Sequence, residues 1–303
     1  MAHEAKAEQS TGNGRLPPVK YLVVSYPAAA LAALFALPLA LLFVFSFFQN
    51  VSGGYVRYVL TLENYVRLVQ EPLYFERLLF TLRIAAVTTI GSLVLGYPLA
   101  YRLATTRSSL LRRTVMIVVV SSLWLTFIIR GYAWAVLLRS NGLLPGVASA
   151  IGLTEEPVSL VPGYWALVVS MIYVFLPFMV LTLYTSINNV DHELREAARN
   201  LGAGPLTTFR HVTLPLTKNG IISGSLLVFV LSLGVYVLPR ILGSPPQWTL
   251  AVVIGNQVTI ESNVAFGATL SIVLMLVVVA LIAVTIRLVG VDTFGVDSGG
   301  EEA

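Results

Sequence analysis

The chain has 303 residues, 11% of them charged and 56% hydrophobic, with a mean hydropathy of +0.82. An ordinary soluble domain carries about 25% charged residues, so a water-exposed surface cannot be built here and a bilayer is the natural solvent. Zero cysteines exclude a disulfide scaffold, thiolate metal sites and cysteine nucleophiles, and the net charge of +4, spread between apolar runs, argues against nucleic-acid binding.

A hydrocarbon core of about 30 Å needs about 20 helical residues. Six segments qualify: about 22–48, 78–101, 114–138, 163–187, 219–241 and 264–289. In lipid the backbone must satisfy its own hydrogen bonds, so these runs are predicted as helices; the alternation of a membrane β-barrel is absent. The first is too long for a signal-peptide core and reads as a retained anchor. After it, TLENYVRLVQEPLYFERL (61–78) sets Leu62, Tyr65, Val66 and Val69 at helical spacing, which predicts a helix lying on the outer interface. Arg83, near the outer end of span two, either snorkels to that interface or serves function. In span three, Arg130 is deeper and is followed by Gly131, Tyr132 and Trp134; a pore lining, an ion pair across helices and a lipid-interface position are all open to it. The stretch 140–163, punctuated by Gly and Pro, predicts a structured loop. Pro38, Pro98, Pro177 and Pro239 are either tolerated kinks or hinges. In span five, Gly220 and Gly224 predict close helix contact. Ser232, Gly234 and Tyr236 serve either packing or a solute path.

Orientation follows from Lys and Arg. One side collects Lys6, Arg15, Lys20, Arg102, Arg107, Arg112, Arg113, Arg195, Arg199, Arg210, Lys218 and Arg287; the other has Arg57, Arg67, Arg77, Arg139 and Arg240. The richer side is predicted to be cytoplasmic, which puts both termini inside. The organisation is then a tail at 1–20, a membrane domain at 21–290 and a tail at 291–303.

Between spans four and five, residues 191–216 are polar and rich in turn formers. Asp191 can cap a short helix, HELREAARNL, with Glu193 in its first turn, and Gly202 can supply the left-handed residue that ends it. Pro205 starts a second short helix through Phe209 or Arg210, and Leu214-Pro215 closes the unit. Ala197 and Ala198 narrow one face, while Phe209, Val212 and Leu214 supply apolar knobs. This reads as a lug projecting from the membrane.

The same residues carry a resemblance. Glu196-Ala197-Ala198, Gly202, Val212 and Leu214-Pro215 match the signature of permease subunits of binding-protein-dependent ABC importers. Stretches such as LTLENYVRLVQEPLY, GYPLAY, RGYAWAVLL and FGATLSIVLMLVV are similar to the spermidine/putrescine branch. The resemblance implies an all-α membrane protein of six spans with the type I ABC importer permease architecture and cytoplasmic coupling helices between spans four and five. It implies that Glu196, Ala197, Ala198, Gly202, Leu214 and Pro215 meet an ATP-hydrolysing subunit. Spans three and five line the path in that family, which sets Arg130, Tyr132 and Trp134 opposite Gly234 and Tyr236. The implied partners are a second permease (the same chain or a relative), two ATPase subunits, a soluble solute-binding protein and membrane lipid, in a bacterial inner membrane.

The chain has no phosphate-binding G-x-x-x-x-G-K-[ST] loop, so ATP and its magnesium are expected on the ATPase subunits, with no cofactor or metal in this chain. No triad can be assembled in the spans, and no enzyme activity is expected. Many polyamine permeases carry an acidic residue where span five has Val235, and none of the six segments contains a carboxylate. Either the partner permease supplies one, or the solute is a phosphonate, an opine, an amino-acid-like compound or an organic anion rather than a polyamine. A secondary transporter or channel is the alternative class; it would need no docking lug.

Overall fold

The structure, a computed structural model, describes residues 18–51 and 55–289, and these are predominantly helical. The expected tails at 1–20 and 291–303 lie outside the described residues, apart from residues 18–20, which open α1 (Pro18–Phe45). The first span was expected to run to residue 48. Instead the helix stops at Phe45, where the Ser46 hydroxyl turns back to the Phe43 carbonyl at 2.6 Å, and the chain enters an antiparallel hairpin of β1 (Phe48–Val51) and β2 (Tyr55–Leu60). This hairpin departs from an all-α reading. Asn64 fastens it to α2 (Glu63–Gln70) by donating to the carbonyls of Ser46 at 3.0 Å and Phe48 at 2.9 Å. The helix expected within 61–78 is α2, and Leu62, Val66 and Val69 are exposed, as suits an interfacial helix.

Four long or paired elements make the membrane body: α3 (Pro72–Thr105), the pair α4 (Ser109–Leu123) and α5 (Phe127–Leu138), α7 (Tyr164–Asn188), and α11 (Lys218–Leu233) followed by α12 (Val237–Leu242). A short α6 (Leu143–Ala150) lies in the expected structured loop. α7 is the hub. Leu167, Met171, Phe175, Met179 and Leu183 are fully buried along it, and 61% of its most apolar stretch is buried, against 17% in α14 (Val264–Val289). α3 runs parallel to α7: Phe80 meets Tyr164, a Cβ on Gly91 would strike Ile172, and one on Gly96 would meet Met179. α11 runs the other way, with Gly220 against Ser186 and Gly224 against Met179 and Thr182. Lipid gives helices little hydrophobic reason to associate, so small residues that admit a neighbour's side chain provide the van der Waals contact.

Two expected spans are not continuous. Residues 114–138 break at 124–126, and α4 meets the following Phe127–Ala150 stretch at 101°. Ser122 bonds back to the Val119 carbonyl at 2.7 Å, and Thr126 starts a new helix by accepting from the Ile129 amide at 3.3 Å. Serine and threonine hydroxyls thus replace the helical ladder at this point. Residues 219–241 break at 234–236. Pro239 has no N–H, so the Val235 carbonyl has no helical donor four residues on. Among the described residues, three helices are long and apolar enough to cross a membrane, or up to five spans if each bent pair counts as one. A shorter apolar helix covers Ala29–Phe45.

A second, smaller core joins α2, α3, α14 and α13 (Leu250–Thr259) through Tyr74, Leu250, Phe266 and Leu270. Arg67 closes it, with its guanidinium 4.5 Å from the Phe266 ring centre and an ion pair to Glu71 at 2.8 Å.

Candidate functional site: a helix-break pocket and a polar lug

Both breaks come together beside the middle of α7. A pocket of about 420 Å³ is lined by Phe127 at the start of α5, Phe175 of α7, and Val230, Gly234, Val235 and Tyr236 around the break after α11. Phe127 lies 6.1 Å from Phe175, centre to centre. Gly234 has open space where a Cβ would stand. The walls are apolar and aromatic, so the polar character comes from interrupted backbone. That suits passage or binding of a solute and offers no nucleophile or acid–base pair.

The five expected pathway residues do not all meet there. Gly234 and Tyr236 line the pocket. Arg130 lies just behind it: it is 4% exposed, its Nη1 donates to the Val174 carbonyl at 3.2 Å, and its guanidinium carbon is 5.1 Å from the Phe127 ring centre. The lipid-interface reading of Arg130 is therefore corrected. The ion-pair reading also finds no support among the described residues, where no carboxylate is paired with Arg130. Trp134 faces away, edge-on to Tyr173 at 5.6 Å and lining a separate pocket of about 370 Å³ with Leu160 and Trp165. Tyr132 is exposed on the outer face of α5, as is Arg83 on α3. Helical spacing separates these side chains: positions 130, 132 and 134 step by about 200° around a helix and cannot all face one cavity. Phe127, Phe175 and Val230 were missed, because an aromatic in an apolar run looks the same whether it faces core or pocket.

The lug is built mainly from short-range bonds. Asp191 caps α8 (His192–Asn200) by accepting from the Glu193 amide at 3.0 Å. At the other end the Gly202 amide donates to the Arg199 carbonyl at 2.9 Å and the Ala203 amide to the Ala198 carbonyl at 3.0 Å, with Gly202 at φ +85°. That is the paired-bond C-cap that needs a left-handed residue, which explains the glycine at this spacing. Arg195 is buried under the helix and donates to the Val190 carbonyl at 2.9 Å, while Glu196 and Ala197 are exposed and Ala198 is half-buried.

The second half of the lug differs from expectation. α9 (Pro205–Thr208) continues through a wide π-type turn (Phe209–Thr213) into α10 (Leu214–Leu216), so the second helix runs past the expected end at Phe209 or Arg210; Leu214-Pro215 stands at its close, and the chain then bends by 65° into α11. Phe209 does not project outward. It packs edge-on between Tyr97 at 5.6 Å and Tyr101 at 5.3 Å of α3. Leu214 is half-buried against the main core and Pro215 is exposed. The most exposed leucines of the lug are Leu201 and Leu206, 89% and 77% exposed, which flank the glycine turn. Thr217 ties the lug to the membrane body by donating to the Thr213 carbonyl at 2.9 Å and bonding the Tyr97 hydroxyl at 2.7 Å. From there α11, 16 residues or about 24 Å long, runs straight to the pocket.

Known proteins resemble this chain in sequence and in fold. Residues 92–291 match the family described as binding-protein-dependent transport system inner membrane component. The chain is 36% identical to the spermidine/putrescine transport system permease protein PotB of Escherichia coli (strain K12), over 77% of this chain and 84% of that one. The protein of the same name from Haemophilus influenzae is 32% identical over 78% and 82%. Among solved structures, a bacterial alginate ABC transporter, in complex with alginate pentasaccharide-bound periplasmic protein, contains a chain that superposes with a TM-score of 0.73 at 17% identity, covering 91% of this chain and 96% of that one. A chain of the inward-facing MetNI methionine ABC transporter gives 0.56 at 21% identity, over 72% and 96%.

Proposed function

Because the chain belongs to the binding-protein-dependent transport system inner membrane component family and is a multi-pass permease subunit of an ABC importer, we propose that it carries a polyamine such as spermidine or putrescine. The observation that carries this reading is the identity of 36% over 84% of a spermidine/putrescine permease. Aromatic pocket walls add support, since ammonium groups are attracted to ring faces. The permease works with a second permease, two ATPase subunits that bind ATP and magnesium, and a solute-binding protein on the outer side. Residues 191–216 seat on the ATPase, six spans cross the membrane, and both termini are cytoplasmic. α11 carries the motion of the lug to the break, where the pocket opens alternately to the two sides.

A second reading is favoured by Arg130. A buried guanidinium close behind the pocket, with no carboxylate paired to it among the described residues, suits an anionic solute. Uptake separates the two. Cells lacking their own polyamine importers, supplied with this permease and its partner subunits, should accumulate radiolabelled spermidine in an ATP-dependent way. Accumulation of a phosphonate or organic anion with no spermidine uptake overturns the polyamine reading. Uptake insensitive to loss of the ATPase returns a secondary transporter or channel. The absence of cysteine makes topology testable with single introduced thiols. A cysteine at Gly12 or Ser298 should resist an impermeant reagent added outside, and one at Ser149 should react; the reverse pattern overturns the orientation.

A further inference from the structure

The break after α11 raises a question of accounting. Pro239 leaves the Val235 carbonyl without a helical partner, and a buried, unpaired carbonyl is costly. Val235 is nevertheless 9% exposed. Its acceptor is taken by the Thr249 hydroxyl, fully buried, at 3.0 Å.

What Thr249 does not do is equally informative. It occupies the N-cap of α13, where a threonine oxygen ordinarily accepts from an amide of the first turn, yet it makes no side-chain cap bond. The first amide of α13, Leu250 N, is served instead by Thr81 of α3, fully buried, at 2.8 Å. Thr81 itself donates to the Arg77 carbonyl at 2.6 Å, so its lone pair is aimed. Another helix thus serves one free amide of the α13 N-terminus, and the Thr249 hydroxyl, which makes no cap bond of its own, is left for the break. Two further contacts tie α13 to the turn and to α12 just after it. Gly255 seats the Tyr236 ring, and a Cβ there would lie 2.5 Å from a ring carbon. Asn256 accepts from Arg240 at 3.2 Å. α13 is in turn fixed to α3 and α14 through Leu250, Phe266 and Tyr74.

We propose that Thr249 is a positioning residue for transport: its hydroxyl holds the unwound turn Gly234–Tyr236 open to the pocket, with α13 as the brace that aims the Tyr236 ring. This rests on the reading that the pocket at the break is the solute path. Without the hydroxyl, the Val235 carbonyl must find another donor, and the turn must move to reach one. Thr249→Val keeps the volume and removes the donor; Thr249→Ser keeps the donor.

The test uses the full complex in proteoliposomes, with the other subunits free of cysteine and Gly234→Cys as a reporter in this naturally cysteine-free chain. Labelling by a small maleimide should change by about tenfold in Thr249→Val, as loss of one buried hydrogen bond allows, and return to the parent rate in Thr249→Ser. Spermidine uptake, measured in chains that keep Gly234, should fall in Thr249→Val and recover in Thr249→Ser. Gly255→Ala, which leaves the hydroxyl in place and pushes on Tyr236, should also shift the labelling rate, and it reports independently of whether Thr249→Val assembles. Parent-like labelling and uptake in Thr249→Val, or parent-like labelling in Gly255→Ala, overturns the brace. If reporter labelling in the parent ignores ATP and vanadate, the pocket is not on the path, and it is the prior reading that fails.

Discussion

The lug and the pocket are joined by one helix but are held together in opposite ways. The ends of α8 are fixed by bonds between near neighbours in sequence: Asp191 to Glu193, Gly202 to Arg199 and Ala203 to Ala198. The pocket is held from a distance, by Thr249 on Val235, Thr81 on Leu250 and Arg130 on Val174, across 14, 169 and 44 residues. On the proposed reading, the lug as a docking surface has to keep its shape while the membrane body rearranges, and local bonds do that. The pocket, as the proposed path, has to change partners, and long-range bonds between helices can be exchanged without unfolding any of them.

The largest expected effects attack the lug. Gly202→Asp forces a side chain onto a left-handed residue on the exposed turn, and Glu196→Arg reverses a charge on the exposed face. Aspartate tolerates the left-handed region less well than glycine, and in each variant the altered charge stands on the exposed surface, so uptake should drop by more than about tenfold with membrane insertion intact. Full solute-stimulated ATP hydrolysis in both variants would break the contrast, because the lug would then be ordinary loop. Next come the pocket variants. Tyr236→Ala should cut uptake by roughly tenfold through loss of an aromatic wall, while Arg130→Gln leaves it near normal for a cationic solute. Loss mainly with Arg130→Gln, in complexes that still assemble, indicates an anion. The smallest effect is expected from Asp191→Ala, which removes one cap worth about 1 kcal/mol; uptake should fall by less than about fivefold and return with Asp191→Ser. Restoration by a cap alone sharpens the point that the lug is a local object.

This difference also explains what could be read in advance. The caps at Asp191 and Gly202 were legible because their physics fits within a dozen residues, and the Gly220 and Gly224 contacts because small residues at helical spacing have one main use in lipid. Phe209 turning inward between Tyr97 and Tyr101 was not legible, since an aromatic on a short helix carries no sign of which side packs. The pairing of β1 with β2 was missed because the apolar run of the first span extends to Phe48, the first residue of β1, and was read as helix to that point. The two broken spans show the limit most clearly. Pro239 announces a free carbonyl at Val235, but only the fold says that Thr249 takes it and that the break at Thr126 lies beside the same pocket.

Residues 191–216 are proposed to be where this permease meets its ATPase, and a photocrosslink from the lug measures that directly. A benzophenone-maleimide attached to Leu206→Cys, a position 77% exposed beside the glycine turn, should yield on illumination of the assembled complex an adduct with the ATPase subunit. The same probe on Ser149→Cys should yield none. An ATPase adduct from Ser149, or no ATPase adduct from Leu206 in a complex that retains its ATPase, would contradict the account.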